Sequence, residues 1–173
     1  MNLFHPDIYA QSIYTINYDK LLKSGIRVLL FDLDNTCIPY LIKEPTKELK
    51  NHFDKLTSNG FKVIIFSNSP KKRLKPFKDY LNVDCCAKVG KPRKAKFLKI
   101  LKDYNLNLPE VAIIGDQLIT DIFGGNRVGI NTILVNPISN IDMPFTKINR
   151  IIEKRIIKNM EKKGLFSLGE YYD

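Results

Sequence analysis

Short apolar runs recur along the chain, each bounded by polar or glycine-containing segments. Runs of this length, rich in Val, Leu and Ile, are typical of strands buried on both faces of a parallel sheet. The predicted strands are Ile26–Phe31, Phe61–Phe66, Val83–Ala87, Val111–Ile114 and Asn131–Val135. Because they alternate with helical segments, they predict right-handed crossovers and a mostly parallel sheet, which is an α/β fold.

Segments with one apolar face fill the intervals between these strands. The predicted helices cover residues 45–59, 70–81 and 92–105, each opened by a proline, and a further helix contains Gly124 and Gly125. Ser69 is expected to cap the second of these helices, and Pro76 is a potential break within it. Residues 1–25 show no sustained period, so we expect an irregular or partly helical lead-in that packs on the sheet.

Composition narrows the class of protein. A chain of 173 residues with 44% apolar residues suits one globular domain over residues 1–173. We find no apolar run of membrane-spanning length and no secretory signal. Three cysteines, Cys37, Cys85 and Cys86, make a poor disulfide framework, so a cytoplasmic location is expected. His5 and His52 are isolated, and neither is expected to bind a metal.

The net charge of +10 favours an anionic partner: nucleic acid, acidic lipid or a phosphorylated substrate. A lysine-rich, solvated surface explains the charge equally well. Residues 147–163 hold seven basic and two acidic residues within a predicted basic C-terminal helix at 146–165. Such a helix either lies on an anionic membrane or packs its isoleucine stripe on the core with the lysines solvated, and we favour packing of the stripe.

Two carboxylates, Asp32 and Asp34, follow the first predicted strand directly. Like charges so close repel, so a cation at this position is expected; the alternative is that both residues cap a helix or solvate a loop. The other chemically notable residues also follow strands or precede helices: Ser67, Lys91, Asp116 and Asp121. The carboxyl ends of parallel strands share one edge, so these groups should converge on a site suited to magnesium and a phosphate.

Four motifs occur in order: Asp32-Leu33-Asp34-Asn35-Thr36, Ser67-Asn68, Lys91-Pro92 and Gly115-Asp116-x-x-x-x-Asp121. This pattern resembles the haloacid dehalogenase-like (HAD) phosphatase superfamily over residues 26–135. The resemblance implies a Rossmann-like three-layer sandwich and magnesium-dependent hydrolysis through an aspartyl-phosphate. It further implies that Asp32 is the nucleophile and Asp34 the general acid and base.

The same resemblance implies roles for the remaining motif residues. Ser67, Asn68 and Lys91 would bind the substrate phosphate. Asp32, Asp116 and the main-chain carbonyl of Asp34 would bind Mg²⁺. Asp121 would belong to the metal shell or pair with Lys91, and Thr36 is expected near the metal ligands.

The spacing between motifs leaves no room for a cap domain, so the site should be open to a large substrate: a protein, a nucleic-acid end or a lipid head group. The first, second and fourth motifs look like the bacterial YqeG-like subfamily, which is related to mitochondrial and plastid phosphatidylglycerophosphatases. This implies an anionic phospholipid substrate and possible peripheral contact with the inner face of an anionic membrane. Two alternatives stay open: a phosphatase for nucleic-acid ends or soluble metabolites, and a non-catalytic basic protein associated with RNA or ribosomes.

Overall fold

The computed structural model describes residues 2–141 and 144–173. Its centre is a six-stranded sheet in the order β1-β6-β5-β2-β3-β4, and every pair of neighbouring strands is parallel. The strands are β1 Ile8–Ala10, β2 Val28–Phe31, β3 Lys62–Phe66, β4 Asp84–Cys86, β5 Val111–Gly115 and β6 Asn131–Val135. The α/β fold with a parallel sheet is therefore confirmed.

Helices cover both faces of this sheet. They are α1 Tyr18–Lys23, α2 Lys47–Ser58, α3 Lys71–Leu81, α4 Lys94–Asp103, α5 Gly124–Val128 and α6 Pro144–Lys162. Side chains alternate along each strand, so Leu29 and Phe31 of β2 pack with α2 and α3, whereas Val28 and Leu30 pack with α4 and α5. The result is a three-layer sandwich.

The strand order places the site. After β2, the chain forms β3 and β4 on one side of β2. It then crosses to the other side of β2 and forms β5 and β6, and β6 pairs with the N-terminal strand β1 at the edge of the sheet. Open α/β sheets bind ligands at such a reversal, outside the carboxyl ends of the strands. The crevice therefore opens between β2 and β5, where Asp32 and Asp116 come directly after the strands.

The lead-in is more regular than its sequence predicts. Ile8–Ala10 forms an edge strand that pairs with β6, and Ile8 lies opposite Ile133. A strand of three residues is too short to show a period in the sequence, and only its long-range pairing defines it. The suggested break at Pro76 is also wrong, because α3 continues through it, and Pro70 rather than Ser69 occupies the N-cap position.

The C-terminal helix α6 packs only part of its isoleucine stripe. Met160 is buried and Ile156 partly buried in a small cluster around Tyr9 and Phe166. Three isoleucines nearer its start are 43–63% exposed: Ile148, Ile151 and Ile152. The expectation that the whole stripe packs on the core is therefore wrong for this half, where charged side chains occupy the inward face.

The described residues contain no cap domain. Between β2 and β3 there is one loop and α2, and between β3 and β5 only α3, β4, α4 and a short 3₁₀ turn. None of the described helices combines the length and the apolar character needed to cross a bilayer. The cysteines Cys37, Cys85 and Cys86 are all free thiols.

Candidate active site

Asp32 and Lys91 form the buried centre of the crevice. The Lys91 ammonium donates to Asp32 Oδ1 at 2.8 Å and to Asp121 Oδ1 at 2.6 Å, and its side chain is 1% exposed. Burial by itself would lower the pKa of Lys91, but the Asp121 and Asp32 carboxylates reverse this and raise it above its ordinary value. Lys91 is therefore a fixed positive charge between two carboxylates.

Asp121 reaches this centre through an unusual turn. A π-helical segment, Leu118–Phe123, follows β5 and directs Asp121 back toward the end of the strand, where Gln117 N–H donates to Asp121 Oδ2 at 3.2 Å. Gly115 lies so close that a Cβ at this position would overlap the Asp121 carboxylate. The glycine of the fourth motif is thus required for the close approach of a side chain.

Asp116 is held from two sides. Thr36 Oγ1 donates to Asp116 Oδ1 at 2.8 Å, as expected for a residue near the metal ligands. From α6, Arg150 pairs with Asp116 Oδ2 and donates from Nη1 to the Asp116 carbonyl oxygen at 2.8 Å. Burial raises the pKa of Asp116, and the Arg150 guanidinium opposes that rise.

A group of carboxylates at this position fits a divalent cation. Asp32, Asp116 and Asp121 each offer an oxygen, and these atoms lie within 4.8 Å of one another. Burial and the neighbouring carboxylates of Asp121 and Asp116 raise the pKa of Asp32 to about 8, against the opposing effect of Lys91. Lys91 pairs with Asp32 and Asp121, and Arg150 pairs with Asp116, so the three carboxylates would repel one another when all are ionised, which is the form that a bound cation favours.

Asp34 stands apart from this cluster. Its Oδ2 accepts from Ser69 Oγ at 2.6 Å, and its Oδ1 accepts from Arg73 Nε and Nη2 at 3.0 and 2.7 Å. The guanidinium carbon of Arg73 lies 4.9 Å from the centre of the Phe77 ring. Asp34 therefore has a fixed orientation, and the Ser69 hydroxyl serves this carboxylate instead of capping α3.

Ser67 and Asn68 complete the phosphate side of the pocket. Ser67 is buried directly after β3, and its Oγ accepts from Ser69 N–H at 3.1 Å. Asn68 exchanges two hydrogen bonds of 2.9 Å with the main chain of Lys91. It thereby joins the second and third motifs and orients the lysine. All five predicted catalytic and phosphate-binding residues line one pocket of about 260 Å³: Asp32, Asp34, Ser67, Asn68 and Lys91.

Comparison with known proteins now identifies the family. A HAD-hydrolase-like family model matches residues 88–137. The probable phosphatase YqeG of Bacillus subtilis is 35% identical over 161 residues, which cover 93% of this chain and 94% of that protein. The chain belongs to the YqeG family of HAD-like hydrolases.

More distant similarities agree with this assignment. Phosphatidylglycerophosphate phosphatase 1 of Arabidopsis thaliana, chloroplastic/mitochondrial, is 25% identical over 92% of this chain, which spans about half (49%) of that protein. A HAD-like family hydrolase from Porphyromonas gingivalis has a similar fold, with a TM-score of 0.55 at 14% identity over 74% of this chain and 98% of that one. This YqeG-family protein is therefore an enzyme of the HAD phosphatase type with a capless core.

The family motifs do not include four side chains that the structure adds to the site: Ser69, Arg73, Arg150 and Glu153. Glu153 Oε1 accepts from Ile119 N–H at 2.9 Å and its Oε2 from Arg150 Nη1 at 3.2 Å, so α6 is attached to the turn that carries Asp121. Burial raises the pKa of Glu153 to about 7, although the Ile119 N–H and Arg150 oppose this. The sequence contains one signal for Glu153, because it is an acidic residue among the isoleucines of a basic helix.

Proposed function

We propose that this YqeG-family protein is a Mg²⁺-dependent phosphomonoester hydrolase that acts through an aspartyl-phosphate and removes the terminal phosphate of phosphatidylglycerophosphate. The observation that carries the chemistry is the buried Asp32 carboxylate, paired with Lys91 at 2.8 Å and surrounded by Asp116 and Asp121. A carboxylate nucleophile divides hydrolysis into two displacements, each easier than direct attack by water.

In the first displacement, an Asp32 carboxylate oxygen attacks phosphorus and the bond to the leaving oxygen breaks. Asp34 in its protonated form gives its proton to that oxygen. In the second, Asp34 takes a proton from water, and the resulting hydroxide attacks the same phosphorus, which releases inorganic phosphate and restores the Asp32 carboxylate. Ser67 and Lys91 would bind the phosphoryl oxygens during both steps.

Mg²⁺ bound by Asp32, Asp116 and Asp121 would neutralise charge on the phosphoryl group and on the carboxylates around it. The main-chain carbonyl of Asp34, which the family resemblance implies as a ligand, would supply a fourth oxygen. The contacts from Ser69 and Arg73 would keep the Asp34 side chain at a constant position while it gains and loses its proton. These two residues are thus positioning residues in the proposed mechanism.

Three observations support a phospholipid as the substrate. Two plant and algal relatives are phosphatidylglycerophosphate phosphatases by name. The capless pocket is open, as a phosphate presented at a bilayer surface requires. The exposed Ile148, Ile151 and Ile152 of α6 lie on a basic helix, a combination suited to peripheral contact with an anionic membrane.

A phosphate-release panel with Mg²⁺ tests the proposal. We expect kcat/KM on phosphatidylglycerophosphate in mixed micelles to exceed that on soluble sugar phosphates and on 5′- or 3′-phosphorylated oligonucleotides by at least about a hundredfold, or about 2.7 kcal/mol. Binding to anionic vesicles should weaken as salt rises. Equal efficiency on a soluble phosphate or an oligonucleotide would replace the lipid proposal with a soluble or nucleic-acid phosphatase.

A further inference from the structure

A second cavity adjoins the catalytic pocket. It lies between the loop that follows β2 and the start of α3, has a volume of about 470 Å³, and shares Tyr40 with the catalytic pocket. We call it the loop–α3 groove. Besides Tyr40, the residues that matter for its chemistry are Leu41, Lys43, Pro70, Lys72, Arg73 and Pro76.

The groove begins on the leaving-group side of the reaction. Asp34, the proposed proton donor to the leaving oxygen, lines the catalytic pocket, and Arg73, which holds Asp34 at 2.7 Å, lines the groove. Ser69 and Pro70, adjacent in the chain, line the pocket and the groove respectively. Tyr40 lies at the boundary of the two cavities, so a group attached to the leaving oxygen would pass Asp34 and Tyr40 to reach the groove.

The volumes indicate that a large substrate extends beyond the catalytic pocket. Sites for drug-sized ligands and cofactors occupy roughly 300–1,000 Å³, and the catalytic pocket, at about 260 Å³, is smaller than that range. It has room for a phosphate and a short linker such as glycerol. The remainder of a phospholipid would have to lie outside it.

The walls of the groove combine apolar and cationic groups. Leu41 is 59% exposed, and Pro70 and Pro76 add apolar surface at the start of α3. Among the described residues, the charged groups at its walls are Lys43, Lys72 and Arg73, with Glu44 as the acidic one. A phospholipid carries both features that such walls recognise, an internal phosphodiester and apolar chains, whereas a sugar phosphate would leave Leu41 in water.

We propose that the loop–α3 groove is a substrate subsite that binds the internal phosphodiester and the proximal acyl region of an anionic phospholipid monoester. This inference rests on the proposed function. Lys43 and Lys72 would contact the phosphodiester, and Leu41 and Pro76 the apolar part. Tyr40 would lie at the junction, between the glycerol linker and the lipid.

Kinetics on three substrates test the subsite. The double variant Leu41→Ala/Lys72→Ala changes the groove alone, and Leu3→Ala/Lys99→Ala is a matched control, because these two exposed residues line neither the groove nor the catalytic pocket. The substrates are p-nitrophenyl phosphate, water-soluble dibutyroyl phosphatidylglycerophosphate as a monomer, and the long-chain lipid in mixed micelles. Thermal melting of all variants verifies that they are folded.

We expect kcat/KM of the groove variant to fall at least about tenfold on both lipids and to stay within about twofold on p-nitrophenyl phosphate, with the control unchanged throughout. If the groove variant hydrolyses both lipids as efficiently as the unmodified protein, the subsite proposal is wrong and the proposed function is unaffected. A loss confined to micelles would also overturn it, since the residues would then act only in adsorption to the surface. An equal loss on all three substrates would place them in catalysis instead. Absence of lipid hydrolysis by the unmodified protein would overturn both proposals.

Discussion

Two aspartates separated by one residue have different surroundings. Asp32 is buried beside Lys91, and burial together with two neighbouring carboxylates raises its pKa. Asp34 is partly exposed and held by Ser69 and Arg73. In the proposed mechanism, Lys91 and a bound cation would favour the ionised form of Asp32 that attacks phosphorus.

Replacing the nucleophile tests this division directly. Asp32→Asn keeps the size of the side chain and one acceptor for Lys91 but removes the attacking charge, so we expect phosphate release to fall by several orders of magnitude with little change in melting temperature. The exposed Asp103→Asn is the control and should retain full turnover. Near-normal turnover in Asp32→Asn would mean that another group attacks phosphorus.

At the scale of elements, α6 is part of the active site. Its Glu153 accepts from Ile119 N–H in the π-helical segment that carries Asp121, and its Arg150 contacts Asp116. These contacts explain why the first half of α6 exposes isoleucines: the inward positions are taken by an ion pair that holds the loop after β5. The helix therefore supports two carboxylates of the site from outside the sheet edge that carries the four motifs.

Removing Glu153 should destabilise the protein. Glu153→Ala leaves Ile119 N–H and the Arg150 guanidinium without this acceptor, which we expect to lower the free energy of unfolding by about 1–3 kcal/mol in urea titrations. Lys158→Ala, an exposed change on the same helix, should have little effect. Glu153→Gln keeps an oxygen acceptor and should recover part of the loss. Equal stability of Glu153→Ala and Lys158→Ala would show that α6 is attached by other contacts.

The lead-in is attached to α2 through His52, which gives a second prediction at this scale. His52 Nε2 lies 3.2 Å from Tyr18 Oη, and the Tyr14 ring is 4.8 Å away. Burial, aided by Lys55, lowers the pKa of His52 to about 4. The unfolded chain therefore binds a proton at His52 more tightly than the folded protein does. The contribution of neutral His52 to the free energy of unfolding is complete above about pH 6.5 and is lost as the pH falls toward 4.

Melting temperatures between pH 7.5 and 4 measure the effect. The unmodified protein should lose more stability across this interval than His52→Gln, which has no proton to gain at this position. Parallel curves for the two proteins would show that His52 does not resist protonation in the folded state.

At the scale of the whole molecule, the parallel sheet brings distant parts of the chain to one edge. The second, third and fourth motifs and α6 all meet Asp32 at the reversal between β2 and β5. When all three are ionised, the repulsion among Asp32, Asp116 and Asp121 opposes folding unless a cation binds there. Metal binding and global stability should therefore be linked.

Mg²⁺ should raise the melting temperature. A ligand that binds only the folded state at a hundredfold excess over its Kd adds about 2.7 kcal/mol to the free energy of unfolding. Asp116→Asn removes one ligand and should strongly reduce this shift, whereas Asp103→Asn should preserve it. Identical melting temperatures with Mg²⁺ and with chelator, together with full activity in chelator, would refute the metal site.

Local sequence patterns were sufficient to predict the fold class, five of the six strands of the described sheet and the residues of the four motifs. These features are local: apolar runs mark strands that are buried on both faces, and the motifs follow those strands directly. Parallel topology then places the ends of the strands together, so convergence of Asp32, Ser67, Lys91 and Asp116 followed without coordinates.

The remaining features depend on contacts between segments that are far apart in the chain. Strand β1 exists through pairing with β6, more than a hundred residues away, and three residues carry no period of their own. Arg73 and Arg150 are two of 28 basic residues, and nothing local distinguishes a guanidinium that turns inward to a carboxylate from one that stays in water. The loop–α3 groove likewise exists because the fold brings Leu41 and Pro76 together. Contacts between segments far apart in the chain choose the partners of individual side chains, and a local pattern does not contain that information.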